Sequence, residues 1–340
     1  MARTKPRKWI ADEIARLDPH TDYEQIWALS SIYYVNDFLM NWVYAITFPR
    51  FLVTLRGADA VLRNGEGKIY TKPDKRMDDT GRHMLVWWEN GPEHSATQRS
   101  VKSLNNLHRY WAKQYPGRFG FNEDYVYTLC YEAAMMHRLR LSLGMSGFDE
   151  NVQIAAWEFW SRMANLFTNV GGDGSGDAPL EGFPSDFAGI NTYMNWYESL
   201  QWPTNPLGSE VAEVVLRPFA ERYFPTWLHP LAYQLVTSFY PDFIFTVHGV
   251  NRPNPIIRRI MRLGIRAGLT FSERIAADPE QSLPELHRAL KNASSAAGPA
   301  TGTAAGARCP VPHAGSAASA PTRTASADVF SESEVAIADA

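Results

Sequence analysis

The segment that most restricts the fold is the stretch from Arg76 to Trp111. It contains two helical patterns separated by the turn signal Asn90-Gly91-Pro92. In the first pattern Arg76 and Thr80 stand four residues apart, so a helix places both side chains on one face. In the second pattern, residues recur with the spacing i, i+3, i+7 and i+10 of a buried helical stripe; they are Val101, Leu104, His108 and Trp111. The stretch therefore predicts a helical hairpin.

His108 is the unusual member of this apolar stripe. A histidine at such a position is most often a core residue whose ring nitrogens bond to backbone carbonyls. Neutral imidazole is also a good ligand for haem iron, and aliphatic and aromatic neighbours suit the faces of a porphyrin. The spacing alone leaves both interpretations open.

Short motifs in and around the hairpin follow one another in a particular order. Arg-x-x-x-Thr, a Trp-rich segment, a Gly-Pro turn and LNNLH together resemble the catalytic domain shared by MpaB-type oxygenases and latex-clearing proteins (rubber oxygenases). Three further motifs continue the likeness: NEDYVYTL at 122–129, AAWEFWSRM at 155–163 and DFAGINTYMNWYESL at 186–200. The resemblance covers residues 30–270 as a series of short motifs.

This resemblance implies an all-α fold, a single large helical domain with a globin-like core that binds haem b. His108 matches the proximal ligand of the haem iron, and Arg76 and Thr80 match polar residues on the distal side. The Arg76 guanidinium would position a haem propionate or polarise dioxygen, and Thr80 would add a hydroxyl donor. The alternative is a solvated Arg76 paired with Asp78 or Asp79, with Thr80 in ordinary helix packing.

One position departs from the family pattern. In the rubber-cleaving members a lysine precedes this threonine and can cap the iron, whereas this chain has Asp79. A carboxylate cannot act as the same neutral nitrogen ligand, so the resemblance does not extend to rubber cleavage itself. We include Asp79 with Arg76 and Thr80 as candidate catalytic residues.

Other histidines compete with His108 for the iron. His83 follows Thr80 by three residues and could line the same pocket, whereas His94 lies in a polar loop and should be exposed. His137 and His248 are alternative axial ligands, and His248 is the stronger of the two because its neighbours are apolar. The Cys309-Pro310 dipeptide with His313 resembles a haem-regulatory motif, a pattern that arises easily by chance.

Several classes of site are missing from the sequence. There is no His-x-x-x-His, Cys-x-x-Cys, Gly-x-Gly-x-x-Gly or Gly-x-Ser-x-Gly motif, which argues against zinc, dinucleotide and hydrolase sites. The two cysteines, Cys130 and Cys309, provide no disulfide framework. A formal net charge of -3 argues against a nucleic-acid partner.

Composition and hydropathy favour a cytoplasmic protein whose core can surround a large apolar ligand. Aromatic residues make up 13% of the chain, which suits a core that surrounds a flat or oily molecule. Neither a signal peptide nor an apolar run of membrane-spanning length is apparent. Arg258 to Arg266 form a basic amphipathic pattern, which predicts either a peripheral membrane contact or the solvated face of a capping helix.

The chain divides by composition into a helical domain, 1–290, and a disordered tail rich in Ala, Ser, Gly and Pro, 291–340. Within the domain we predict a short amphipathic helix over 8–17, a helix break at Pro49 and a loop or small hairpin over 63–73. Two helices joined near Gly144 to Gly147 should fill 122–163. Residues 171–179 should be a flexible linker with no strand before it.

The resemblance implies a haem b-dependent oxygenase that uses dioxygen on a hydrophobic, unsaturated small molecule or polymer, of the isoprenoid or lipid-like kind. A non-catalytic haem or lipid-binding protein at the membrane surface is the alternative. A membrane-peripheral structural protein is a third hypothesis, carried by the basic helix alone. The oligomeric state stays open.

Overall fold

The structure is a computed structural model, and it describes residues 6–170 and 177–296. Its helices are α1 (Trp9–Ile14), α2 (Tyr23–Ser31), α3 (Asp37–Phe51), α4 (Leu55–Leu62), α5 (Lys68–Thr71), α6 (Pro73–Asn90), α7 (Ser95–Gln114), α8 (Asn122–Ser142), α9 (Glu150–Ala164), α10 (Phe187–Ser199), α11 (Gly208–Tyr223), α12 (His229–Thr237), α13 (Asp242–His248), α14 (Pro255–Arg274) and α15 (Leu283–Ala296). Two strands, β1 (Thr168–Val170) and β2 (Asp177–Pro179), pair antiparallel. The predicted all-α class is confirmed, and the globin-like arrangement of its core stays a prediction.

Side-chain caps fix where several helices begin. The side-chain oxygen of Asn36 accepts a hydrogen bond from the N–H of Leu39 at 2.9 Å, three residues into α3. Asp149 accepts from the N–H of Val152 at 2.9 Å in the same way at the start of α9. Each cap satisfies a backbone donor that the first helical turn leaves without a partner.

The centre of the core lies between α2, α8, α9 and α10. Helix α9 packs against α2, and α8 packs against both α9 and α10. Phe159 and Trp160 of α9 are inaccessible to solvent, and both meet Trp27 of α2, with ring centroids 5.6 and 5.9 Å away. Burying side chains of this size supplies most of the hydrophobic stabilisation in this part of the molecule.

The predicted helix break at Pro49 is wrong. Helix α3 continues through Pro49 and ends two residues later at Phe51. Proline has no N–H, so the carbonyl of Ala45 loses its usual helical donor. The hydroxyl of Tyr240 donates to that carbonyl at 3.1 Å instead. A residue far away in the sequence thus removes the cost of the proline.

Two other local predictions are also wrong. Residues 63–73 contain a short 3-10 turn and the one-turn helix α5, where we predicted a loop or hairpin. Strand β1 precedes the glycine-rich linker 171–179, where we predicted no strand, and residues 177–179 of that linker form β2. Residues 171–176 lie outside the described part of the chain. The N–H of Val170 also donates to the carbonyl of Phe119 at 3.0 Å, which ties this strand to the loop before α8.

The other predicted elements agree with the structure. Helix α1 buries Ile10 and Ile14, as its pattern indicated. Helices α8 and α9 are joined by a turn at Gly144, whose φ of 69° is strained for residues with a side chain.

Helices α1 to α14 belong to one compact unit, Met1–Leu283, and α15 belongs almost wholly to a second, Pro284–Ala340. Helix α15 extends to Ala296, past the predicted boundary at residue 290. The rest of the predicted tail, 297–340, lies outside the described residues. Nowhere in 6–170 or 177–296 is a helix both long enough and apolar enough to cross a membrane.

Candidate functional site

Helices α6 and α7 form the predicted hairpin, and local chemistry fixes its turn. Helix α6 begins at Pro73, where a missing N–H costs no hydrogen bond. It ends at Asn90. The next residue, Gly91, has a φ of 77°, and a Cβ at this position would lie 2.1 Å from Oε1 of Glu24. Helix α7 then begins after His94, whose Nδ1 accepts a hydrogen bond from the N–H of Ala96 at 3.2 Å. Only glycine fits between the two helices.

His108 lies on α7 between two aromatic rings. Its ring centroid is 5.4 Å from that of Phe119 and 5.7 Å from that of Tyr125. The hydroxyl of Tyr125 donates to the carbonyl of Phe119 at 3.2 Å, and its oxygen is 3.5 Å from Nδ1 of His108. Since Tyr125 uses its proton on Phe119, its oxygen presents a lone pair to the histidine. The compatible tautomer carries the proton on Nδ1 and leaves a lone pair on Nε2.

The surroundings also keep this ring neutral. Desolvation, aided by the positive charge of Arg76, lowers the pKa of His108 to about 4. At neutral pH no proton therefore occupies Nε2, and no hydrogen bond within the described residues engages that atom. The predicted buried stripe is only partly realised, because Val101 is inaccessible whereas His108 is partly exposed. His108 is thus a neutral imidazole with one nitrogen open for binding.

Arg76 and Thr80 share one face of α6, as predicted. The guanidinium of Arg76 donates to Oγ1 of Thr80, whose hydroxyl donates to the carbonyl of Arg76 at 2.9 Å. The guanidinium carbon lies 5.2 Å from the ring centroid of Phe48 on α3. Because the charge of Arg76 depresses the pKa of both His83 and His108, it lies near both rings. Both residues are partly buried, and no ion pair of Arg76 with Asp78 or Asp79 is found among the described residues.

Asp79 belongs to a different set of contacts. Its carboxylate lies 2.8 Å from Nζ of Lys68 on α5 and 3.3 Å from Nζ of Lys75 on its own helix. Burial opposes ionisation, but the two lysines hold the pKa of Asp79 below its ordinary value. At neutral pH the carboxylate is therefore ionised and paired with the ammonium groups of Lys68 and Lys75.

His83 lies one turn beyond Thr80 and is held by α7. Its Nδ1 is 2.7 Å from Oγ of Ser100, which also accepts a hydrogen bond from Nε1 of Trp87 at 2.8 Å. Desolvation lowers the pKa of His83 to about 4, against the opposing effect of Asp79. The hairpin thus holds two neutral imidazoles, and one nitrogen of His83 is already engaged.

The alternative axial ligands are packed in other ways. His248 is 2% exposed and its Nε2 donates to the carbonyl of Pro49 at 2.8 Å, while its buried Nδ1 has no partner among the described residues. Nδ1 of His137 accepts from the N–H of Phe148 at 2.9 Å, and the ring is enclosed by Phe148 and Phe187. His248 is therefore part of the protein core, and His137 holds the loop before α9. His94 is exposed, as predicted.

A site built from several metal ligands is not found. Within 6–170 and 177–296, no group of three or more His, Cys, Asp or Glu side chains could hold a metal ion. A haem requires only one protein ligand, so His108 is sufficient in number. The predicted Cys309-Pro310-His313 motif lies outside the described residues.

Sequence reasoning did not find two members of this site. The motif NEDYVYTL assigns no role to Tyr125, yet its hydroxyl oxygen lies 3.5 Å from Nδ1 of His108, 17 positions away. Lys68 was placed in a loop, yet its ammonium reaches Asp79 across 11 positions. No local pattern marks either contact, because each depends on how separate helices meet.

The chemistry of His108 is compatible with a single metal ligand. A neutral imidazole with an oriented Nδ1 and an open Nε2 is the usual arrangement of a metal-binding histidine. The nearby Arg76 guanidinium has the geometry that recognises a carboxylate such as a propionate. The two cavities that stand out, of about 340 and 210 Å³, both lie along α14, and His108 lines neither.

No protein-family model matches this chain, and no curated protein matches it either.

Proposed function

We propose that the chain is a haem b-dependent oxygenase that uses dioxygen on a hydrophobic, unsaturated substrate of the isoprenoid or lipid class. One observation carries the proposal: His108 is a neutral imidazole whose Nδ1 faces Tyr125 and whose Nε2 is open. The resemblance of the motifs to the MpaB-type and latex-clearing family supplies the reaction class.

In this proposal each residue has a separate task. His108 would hold the iron through Nε2, and Tyr125 would keep the ring in the tautomer that leaves this nitrogen free. Arg76, held by Thr80, would bind a propionate or orient a polar group of the substrate. When bound, haem b would supply the iron at which dioxygen is activated for oxygen insertion or cleavage of a double bond. Buried aromatic side chains such as Phe48 would exclude water from the reacting groups.

A visible absorption spectrum tests the cofactor. The purified protein, supplied with haem, should show a Soret band, and His108→Gln should lose or strongly shift it. His137→Gln is the matched control, because it alters another partly buried, aromatic-flanked histidine and should keep the band. Far-UV circular dichroism should show that both variants retain their helices. A band that survives His108→Gln unchanged would contradict the assignment of the iron ligand.

The second candidate is a haem or lipid carrier that performs no oxidation. It is favoured by Asp79, which stands where rubber-cleaving proteins have lysine and which is occupied by Lys68 and Lys75. An assay can distinguish the two functions: the reduced, haem-loaded protein is given dioxygen and an unsaturated isoprenoid or lipid. Carbonyl products formed over several turnovers support the oxygenase, whereas a bound haem without product supports the carrier.

A further inference from the structure

Helix α14 has two unlike faces. Its inner face carries Met261, Ile265 and Leu269, which pack against the core of the first unit. Its outer face has an apolar stripe that no described residue covers: Ile256 is 69% exposed, Ile260 58%, Leu263 53% and Phe271 56%. On a helical projection these four fall within one side of the helix. A contiguous exposed stripe of this kind marks a contact surface and not a chance surface residue.

Four arginines of α14 lie beside the stripe. Arg259 and Arg266 are exposed, and Arg258 and Arg262 are partly buried. Among the described residues, none of the four forms an ion pair. The single acid of α14, Glu273, is already paired with Arg140. The side of α14 next to the apolar stripe is therefore positive, although the whole chain carries a net charge of -3.

The arginines converge on a cleft between α14 and the end of α8. The cleft has a volume of about 340 Å³ and is lined by Ser142, Leu143, Pro255, Arg258, Arg259, Arg262, Leu263 and Arg266. The guanidinium of Arg262 donates to the carbonyl of Ser142, which holds it at the wall of the cleft. Four guanidinium groups around one small space, with no carboxylate among them, provide the chemistry that binds a phosphate group.

We propose that the outer face of α14 docks on the surface of an anionic phospholipid bilayer. The arginine cleft takes a headgroup phosphate, while Ile260, Leu263 and Phe271 enter the boundary between headgroups and acyl chains. Both halves of this chemistry are characteristic of helices that lie in a membrane interface, where apolar burial and attraction to anionic lipids add together. The proposal concerns the apoprotein as well and does not depend on haem binding.

The charge of the face argues against the other occupants. In a symmetric dimer formed through α14, the arginines of one copy would lie close to those of the other, and like charges in an interface disfavour association. A nucleic acid would satisfy the arginines but would leave the apolar stripe in water. A bilayer with anionic headgroups satisfies both parts of the surface.

Vesicle sedimentation with the full chain tests the proposal. The protein should bind vesicles of phosphatidylcholine mixed with phosphatidylserine, bind phosphatidylcholine alone weakly, and lose binding as salt screens the charges. Arg259→Gln with Arg266→Gln should weaken binding to the anionic vesicles roughly 10- to 30-fold. These two side chains are exposed, so the helix should fold as before. Ile260→Ser with Phe271→Ser should weaken binding to both kinds of vesicle.

The matched control is Arg99→Gln with Arg217→Gln, which removes the same charge from exposed positions on α7 and α11. It should bind anionic vesicles nearly as well as the unaltered chain. Equal loss in the control would show attraction by overall charge and overturn the proposal, as would an unaltered chain that ignores anionic vesicles. Light scattering could also show that the unaltered chain is a dimer and that Ile260→Ser with Phe271→Ser makes it a monomer. That result would overturn the proposal, because the face would then bind a second copy of the chain.

Discussion

Glu198 and His108 are both polar side chains on the helices of one unit, and they are surrounded in opposite ways. Oε1 of Glu198 accepts hydrogen bonds from Arg50 and Tyr127, both at 2.9 Å, and Oε2 accepts from Arg138 at 2.7 Å. These partners lie on α3 and α8, around a carboxylate of α10 whose side chain is 12% exposed. His108 instead has one hydroxyl beside Nδ1, and no described residue forms a hydrogen bond with its Nε2.

The difference separates a group that stabilises the fold from one that can bind. A buried carboxylate must have its charge compensated from several sides, and such a group has no capacity left for a ligand. A neutral imidazole can be left with an open nitrogen at small cost, because no charge is desolvated. The Glu198 cluster therefore predicts a structural role, and the environment of His108 predicts a binding role.

Removal of Glu198 should have the largest effect on stability. Glu198→Ala leaves Arg50 and Arg138 without a countercharge in a mostly buried position, and we expect a loss of about 3–5 kcal/mol in the free energy of unfolding. Denaturant titration followed by circular dichroism measures it. Glu221→Ala, at an exposed position on α11, should change the free energy of unfolding by less than about 0.5 kcal/mol. A small loss for Glu198→Ala would show that Glu198 does not have the stabilising role proposed for it.

Acid should act on two histidines of the hairpin, His83 and His108. The pKa values of His83 and His108 are both lowered from 6.5 to about 4 in the folded state. Between pH 6.5 and about 4 the unfolded chain binds more protons than the folded chain, so the free energy of unfolding falls as the pH falls. Each histidine contributes at most about 1.4 kcal/mol per pH unit.

Unfolding free energies measured between pH 7 and pH 4.5 check this expectation. His83→Gln and His108→Gln should each make the dependence shallower, whereas the exposed His94→Gln should leave the slope as it is. Slopes unaffected by either hairpin variant would show that these rings are not the groups that titrate.

Tyr125→Phe should weaken haem binding at His108 while preserving the packing around the histidine ring. The variant removes the oxygen that orients Nδ1, and loss of such a contact typically weakens metal affinity 10- to 100-fold. Haem titration followed at the Soret band measures the dissociation constant. Tyr115→Phe on the loop after α7 serves as the control, because Tyr115 is not a hydrogen-bond partner of His108. Unchanged affinity in Tyr125→Phe would remove Tyr125 from the site.

Asp79→Asn should have the smallest effect. Lys68 and Lys75 are accessible to water, and ion pairs of this kind contribute about 0–1 kcal/mol to stability. We expect a loss in the free energy of unfolding within that range and an unaltered haem spectrum. A large spectral change would instead place Asp79 at the haem, beside Arg76 and Thr80.

Features that depend on neighbouring residues were predicted correctly from the sequence. The turn at Asn90-Gly91-Pro92, the join between α8 and α9, and the shared face of Arg76 and Thr80 all follow from glycine chemistry or helical spacing. These features require no knowledge of distant contacts, because the physical cause lies within a few residues.

Features that depend on distant residues were missed. The expected break at Pro49 fails because Tyr240, 195 positions from Ala45, supplies the replacement hydrogen bond. The orientation of His108 requires the hydroxyl of Tyr125, and the occupation of Asp79 requires Lys68. A periodic pattern cannot reveal which partner a distant helix will present.

The proline in α3 has a further consequence. The carbonyl of Ala45 accepts from Tyr240, and the carbonyl of Pro49 accepts from His248, so the irregular turn of this early helix is completed by residues that are synthesised some two hundred positions later. A fragment that stops before Tyr240 would leave the carbonyl of Ala45 without its hydroxyl donor, and the carbonyl of Pro49 would keep only the N–H of Leu52, at 3.3 Å. We expect the first unit to melt as one cooperative block, with no early segment able to stand as an independently folding piece.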